Sequence, residues 1–181
     1  RFRDTLQRIS TGGAQFRFGA EIDGSRIADL RRAISRLEEA GVQVVTFVPP
    51  MASLVRQEIE QRPQSYAYEA PARAAIARLN TDHLDVLDGS SIGIPDCEYV
   101  DGFHVGEVGS MRILRELSRL PNNGLEAFID RAALTQSIAA AAGRASFDIG
   151  FRRDGETEGD FLELGCQKPV LPDHSGAPER P

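Results

Sequence analysis

The run Val42-Gln-Val-Val-Thr-Phe-Val48 narrows the choice of fold more than any other stretch of this chain. It is β-branched and almost continuously apolar, the pattern of a strand buried on both faces in a parallel sheet covered by helices. Gly41 precedes it and Pro49-Pro50 stops it. Upstream, Ile27, Leu30, Ile34 and Leu37 fall on one helical face, and Arg26, Arg31, Arg32 and Glu38 fall on the other. The spacing predicts a helix capped by Asp23 or Ser25 and closed by Gly41 in the left-handed conformation. Downstream, Pro50 suits the first turn of a helix whose inner face carries Met51, Leu54, Val55 and Ile59. A polar break at Arg62-Pro-Gln-Ser65 leads to another helix from about Glu69, with Ala72, Ala75, Ile76 and Leu79 inward. A second short strand follows, Leu84-Asp-Val-Leu-Asp88. Two strands separated by helix make a βαβ unit with a parallel sheet, and in such sheets working groups gather at the carboxyl ends of the strands. Pro49, Pro50, Asp88 and the sixteen-residue loop from Gly89 to His104 lie at those ends.

The remaining elements are helical or weakly patterned. Arg1 to Ile9 reads as the end of a helix broken by Thr11-Gly-Gly13. A helix is predicted from about Glu107 to Leu120, with Val108, Met111, Leu114 and Leu117 inward. Another is predicted from Leu125 to Ala142, after the break at Pro121-Asn-Asn-Gly124. Phe147-Asp-Ile-Gly-Phe151 and Phe161-Leu-Glu-Leu-Gly165 pair as a candidate hairpin. Pro169 to Pro181, with four prolines and no pattern, reads as a disordered tail. One domain over residues 1–168 and a tail over 169–181 is the resulting division. A hydrophobic content of 41% supports a core, and 21 basic against 27 acidic residues, interspersed, offer no nucleic-acid surface. No apolar run reaches the length of a membrane span. The start, Arg-Phe-Arg-Asp, has no Met and no signal-like stretch and reads as a trimmed fragment. Cys97 and Cys166 share no CxxC motif; a disulfide and two buried thiols are both open.

The chemistry-bearing stretch is Asp101-Gly102-Phe103-His104, in a Gly-rich segment just before a predicted helix. On a turn, this spacing lets the Asp101 carboxylate reach one ring nitrogen of His104 and leaves the other to take a proton. That supplies two of the three members of a nucleophilic triad. The bland reading is a surface loop with an incidental Asp and His; the place after a βαβ unit favours the functional one. Of the other histidines, His83 is expected on the surface at the amino end of the sheet, and His174 lies in the tail. Asp88 either orients the loop or begins a turn with Gly89. Asp154 to Asp160 resembles a calcium loop but has Gly165 where the bidentate Glu belongs, so a solvated acidic turn is the reading. No residue set has zinc spacing. No metal and no organic cofactor is called for.

The order from helix and Gly through apolar strand, Pro-Pro, two helices, strand ending in Asp, loop and D-x-x-H resembles the C-terminal part of an SGNH (GDSL-type) hydrolase-like domain. The flavour is that of envelope polysaccharide O-acetyltransferases. The resemblance covers roughly Ile27 to Leu120, and the D-x-x-H block is its specific part. It implies a three-layer α/β fold, a flavodoxin-like or SGNH-like parallel sheet flanked by helices and incomplete at the N-terminus. It also implies that Asp101 and His104 serve a serine nucleophile. The implied substrate is a carbohydrate or acyl ester, the implied partners are envelope biosynthesis proteins, and the implied location is the cell envelope or periplasm. The family's Gly-x-Ser block after its first strand has no match here. The substitute is Ser25 in Asp23-Gly24-Ser25-Arg26, where the helix-cap reading is favoured; Ser10, Ser90 and Ser91 are weaker. The nucleophile is therefore expected outside this chain. The alternatives are a non-catalytic SGNH-like domain that binds glycan or partner proteins, and a plain doubly wound domain with an unrelated ligand at the Pro49/Asp88 edge.

Overall fold

A computed structural model describes residues 2–79, 82–121 and 124–146. Among them the chain is mixed α/β, with six helices and a two-stranded parallel sheet. The order is α1 (Arg3–Thr11), α2 (Gly24–Glu39), β1 (Thr46–Val48), α3 (Ser53–Glu60), α4 (Glu69–Ala77), β2 (His83–Asp85), α5 (Glu107–Leu117) and α6 (Arg131–Ala141). Short 3-10 turns occupy Gly89–Ile92, Asp96–Glu98 and Leu125–Ala127.

β1 and β2 pair in parallel with Thr46 opposite His83 and Val48 opposite Asp85. Met51 and Asp88 form a further parallel bridge, so the pairing resumes past Pro50. The βαβ unit is thus present, with α3 and α4 as its crossover. The strand itself is shorter than the sequence predicts. Only three residues pair, Val42 lies outside the strand and is exposed, and Phe47 is 42% exposed. The expected burial on both faces is corrected accordingly: β-branched residues favour extended backbone, but burial depends on what packs over the strand.

Helix boundaries follow local chemistry. Asp23 caps α2 by accepting from the Ser25 backbone N–H at 2.9 Å, and Asp130 caps α6 by accepting from Ala132 and Ala133. Gly12 and Gly41 take φ of 68° and 78° after the ends of α1 and α2. Four expectations are corrected. On α2 only Ile34 is buried, and Leu30 and Leu37 are exposed. α3 begins at Ser53, so Pro50 and Met51 precede it, and Leu54 is exposed while Val55 and Ile59 are buried. On α5 Val108 is buried as expected, but Leu114 is exposed and Ile113 is buried in its place. The helix expected over 125–142 divides into a 3-10 turn and α6, because Asp130 supplies a new start. The candidate hairpin, the acidic turn at Asp154–Asp160, Cys166, His174 and the Pro-rich tail lie outside the described residues.

The main core gathers Phe2 and Ile9 at α1, Phe16, Val55 and Ile59 of α3, Tyr66, and Ile94, Cys97 and Tyr99 from the loop after β2. α1 packs against α3. A smaller cluster joins Val108 of α5 to Ile138 and Ala141 of α6. Cys97 is disulfide-bonded, which decides between the two readings left open for it. The only other cysteine in the sequence is Cys166.

Candidate active site

Residues 98–106 form a tight hairpin. Tyr99 bridges Val105 in antiparallel fashion, Val100 N–H donates to the His104 carbonyl at 2.8 Å, and Gly106 N–H donates to the Glu98 carbonyl at 2.8 Å. Asp101, Gly102 and Phe103 make its tip. One carboxylate oxygen of Asp101 accepts from the backbone N–H groups of Phe103 at 3.2 Å and His104 at 2.8 Å. The other lies 2.7 Å from His104 Nδ1. A carboxylate only accepts, so Nδ1 carries the proton and Nε2 of the neutral ring presents its lone pair. Among the described residues Nε2 has no hydrogen-bond partner, and the side chain is 67% exposed. The Phe103 ring lies against the imidazole, centroids 3.9 Å apart.

The tip is fixed from behind. Thr5 of α1 is buried and its hydroxyl donates to the Asp101 carbonyl at 2.8 Å. Ala52 N–H, just before α3, donates to the Gly102 carbonyl at 2.8 Å. Gly102 has φ of 96°, and a Cβ there would stand 2.6 Å from Val55 Cγ2 and 2.9 Å from Phe2 Cγ. Only glycine satisfies both the backbone conformation and the close approach. Phe103 packs edge-on against Phe16, ring centroids 5.3 Å apart. Because Ala52 follows the carboxyl end of β1, the Asp–His pair sits at the edge where parallel sheets place their working groups.

The same edge carries a polar cluster. Ser53, the first residue of α3, donates from its backbone N–H and its hydroxyl to the Asp96 carboxylate, each at 2.7 Å. Asp88 accepts from the Ser90 hydroxyl at 2.7 Å and pairs with Arg56 at 3.1 Å. The Ser90 hydroxyl bond is the main cause that holds its carboxyl below the usual range; burial opposes it, and the Ser90 backbone N–H and Arg56 add to the lowering. Tyr99 is fully buried and its hydroxyl has no partner among the described residues. Burial first, then Asp96 and Asp88, push that phenol far up. A Cβ at Gly89 would lie 2.2 Å from the Tyr99 oxygen, so glycine is required there too. Behind the hairpin, fully buried Glu98 takes a two-pronged bond from Arg112 of α5 at 2.8 and 2.9 Å, and a third from Gly143 N–H at 2.9 Å.

The other sequence candidates divide cleanly. Ser25 bonds Asp23 at the start of α2, as a cap does. Ser10, Ser90 and Ser91 are each spent on local turns. No serine hydroxyl among the described residues bonds the His104 ring. His83 is not a surface residue: it is half-buried, its Nδ1 lies 2.9 Å from the Thr46 hydroxyl, and its Nε2 is buried without a partner. Sequence reasoning missed Thr5, Ala52 and Glu98, none of which carries a local signal pointing to Asp101. Among the described residues no group of three or more His, Cys, Asp or Glu is placed to hold a metal ion. Comparison with protein-family models, with curated proteins and with solved structures finds no match.

Proposed function

We propose that this chain is the Asp–His half of an SGNH-like serine esterase or O-acyltransferase, acting on ester groups of carbohydrate hydroxyls. The observation that carries the reading is the 2.7 Å contact from Asp101 Oδ2 to His104 Nδ1, with Nε2 left open at the carboxyl edge of a parallel strand pair. His104 takes the proton of a serine hydroxyl as that oxygen attacks the ester carbonyl, then returns it to the leaving alcohol. Asp101 holds the ring and stabilises the imidazolium. The nucleophilic serine belongs to sequence outside this chain, and the complete fold is a three-layer, flavodoxin-like sheet to which β1 and β2 contribute. The bonded state of Cys97 supports an oxidising location such as the cell envelope or periplasm. Among the described residues no helix is long and apolar enough to cross a membrane.

The test is hydrolysis of p-nitrophenyl acetate by the full-length parent protein. His104→Ala is expected to abolish it; retained turnover in a folded variant overturns the assignment. One observation favours a second reading, a non-catalytic SGNH-like domain that binds glycan or partner proteins: no described serine hydroxyl meets the imidazole. Labelling of the parent protein by a serine-directed phosphonate separates the two, since only the enzyme reacts.

A further inference from the structure

The fold splits the apolar stripe of α2. Ile34 is buried and Ile27 half-buried, while Leu30 is 42% and Leu37 45% exposed. Ala33 is exposed between the two leucines, and Arg26 stands one turn before Leu30. Spacings of four, three and four residues put Arg26, Leu30, Ala33 and Leu37 in one row along the helix. None of the closely packed element pairs among the described residues includes α2. We infer that this row is an interface between two copies of the chain, paired through α2 antiparallel about a two-fold axis.

The charges beside the row choose a second copy as the occupant. Asp29 and Arg36 stand two turns apart on the same side of it. Asp29 pairs with Arg32 through Oδ1, and its Oδ2 has no partner among the described residues. The exposed Arg36 side chain has no ion pair or hydrogen bond among them either. A two-fold axis through the midpoint of Gly24–Glu39, between Arg31 and Arg32, lays one helix reversed against the other over its whole length. Leu30 then meets the partner's Ala33, and Leu37 meets the aliphatic stem of the partner's Arg26. The same operation brings Asp29 to the partner's Arg36 and Arg36 to the partner's Asp29, because a two-fold interface repeats every contact. A parallel pair would instead set each charge level with its like. An unrelated protein would account for the exposed leucines but not for opposite signs at two-fold-related positions. Within α2 four arginines stand against three acidic residues, so the chain's net charge of −6 does not oppose contact at this face.

The inference does not depend on the Asp101–His104 reading, and its test is made on the 181-residue chain. A seam one helix wide is small for a permanent dimer, so sedimentation velocity is run from about 10 µM to about 1 mM. The mass is expected to rise with concentration from that of one chain to that of two. Leu37→Glu, at an exposed position and shown to be folded by circular dichroism, is expected to remain a monomer throughout. Arg36→Asp turns two attractions into two repulsions and is expected to raise Kd about tenfold. Asp29→Arg combined with Arg36→Asp reverses both signs and is expected to recover the association. A chain that stays monomeric to the highest concentration overturns the inference and leaves the row to residues 147–181 or to another protein. A dimer untouched by the folded Leu37→Glu variant overturns it too, by placing the contact on another face. Loss in Leu37→Glu with no response to either charge change overturns the antiparallel register, and masses beyond two chains overturn the two-fold axis.

Discussion

Asp101 does two jobs with two oxygens. One closes the turn through the Phe103 and His104 amides, and the other selects the imidazole tautomer. The jobs separate in Asp101→Asn. The amide oxygen still accepts the two backbone N–H groups, while the NH2 group faces Nδ1 and forces the proton onto Nε2. The hairpin is expected to survive and kcat in the parent enzyme to fall about 10⁴-fold. Nitrogen NMR of the His104 ring, reporting a protonated Nε2, checks the cause independently of rate. Gly102 is the steric counterpart. Gly102→Ala drives a methyl into Val55 and Phe2 at a positive φ, with an expected loss of about 1–3 kcal/mol, read as a lower urea midpoint. At this scale much was legible. A carboxylate three residues before a histidine in a Gly-rich stretch specifies a local contact, and local contacts follow from spacing. Thr5, which bonds the Asp101 carbonyl from 96 positions away, was not legible, because nothing in a threonine names its distant acceptor.

At the scale of elements, the hairpin, α5 and the end of α6 are pinned together by Glu98. Its carboxylate is fully buried and bonded by Arg112 and Gly143, and its carbonyl accepts from Gly106. Glu98→Ala leaves the Arg112 guanidinium nearly buried and unpaired, so unfolding free energy is expected to drop by about 3–5 kcal/mol in chemical denaturation. Glu98→Ala is also expected to broaden the amide signals of 99–106, since the hairpin's base loses its anchor. Element types were readable from periodicity, but their extents were not. The apolar run 42–48 promised seven strand residues and only Thr46–Val48 pair, because a strand ends where its neighbour's hydrogen bonds end. α2 shows the same limit. Its four-residue apolar stripe announced a helix correctly, yet burial of Leu30 and Leu37 depends on what packs against them.

Across the whole molecule, all three tyrosines are held neutral by the fold. Burial is the first cause in each case, pushing the phenols of Tyr66, Tyr68 and Tyr99 up. Tyr66 also donates to the Ile9 and Phe16 carbonyls, a bond that needs its proton. A raised folded pKa contributes stability that is complete below the unfolded value, about 10, and is lost as pH climbs through the folded value. Melting temperature is therefore expected to be insensitive to these groups at neutral pH and to fall steeply above about pH 10. Tyr99→Phe is expected to soften the alkaline fall, because a residue that cannot ionise removes one source of the linkage. A fall of the same steepness in Tyr99→Phe would assign the alkaline transition to Tyr66 and Tyr68 alone.

The wall behind the Asp–His tip is built from the first helix, through Phe2 and Thr5. A chain clipped after Thr11 would keep every residue of the hairpin and both of its reactive groups, yet lose the backstop that holds the tip in place. Whatever loosens the opening residues of α1, a protease, a fusion tag or an upstream segment pulling on Arg3, thereby acts as a remote brake on the imidazole. Such a cut is expected to remove the helical dichroism of α1 and to lower the melting temperature, since Phe2 and Ile9 leave the main core, while the Nδ1 proton signal of His104 fades into exchange with water.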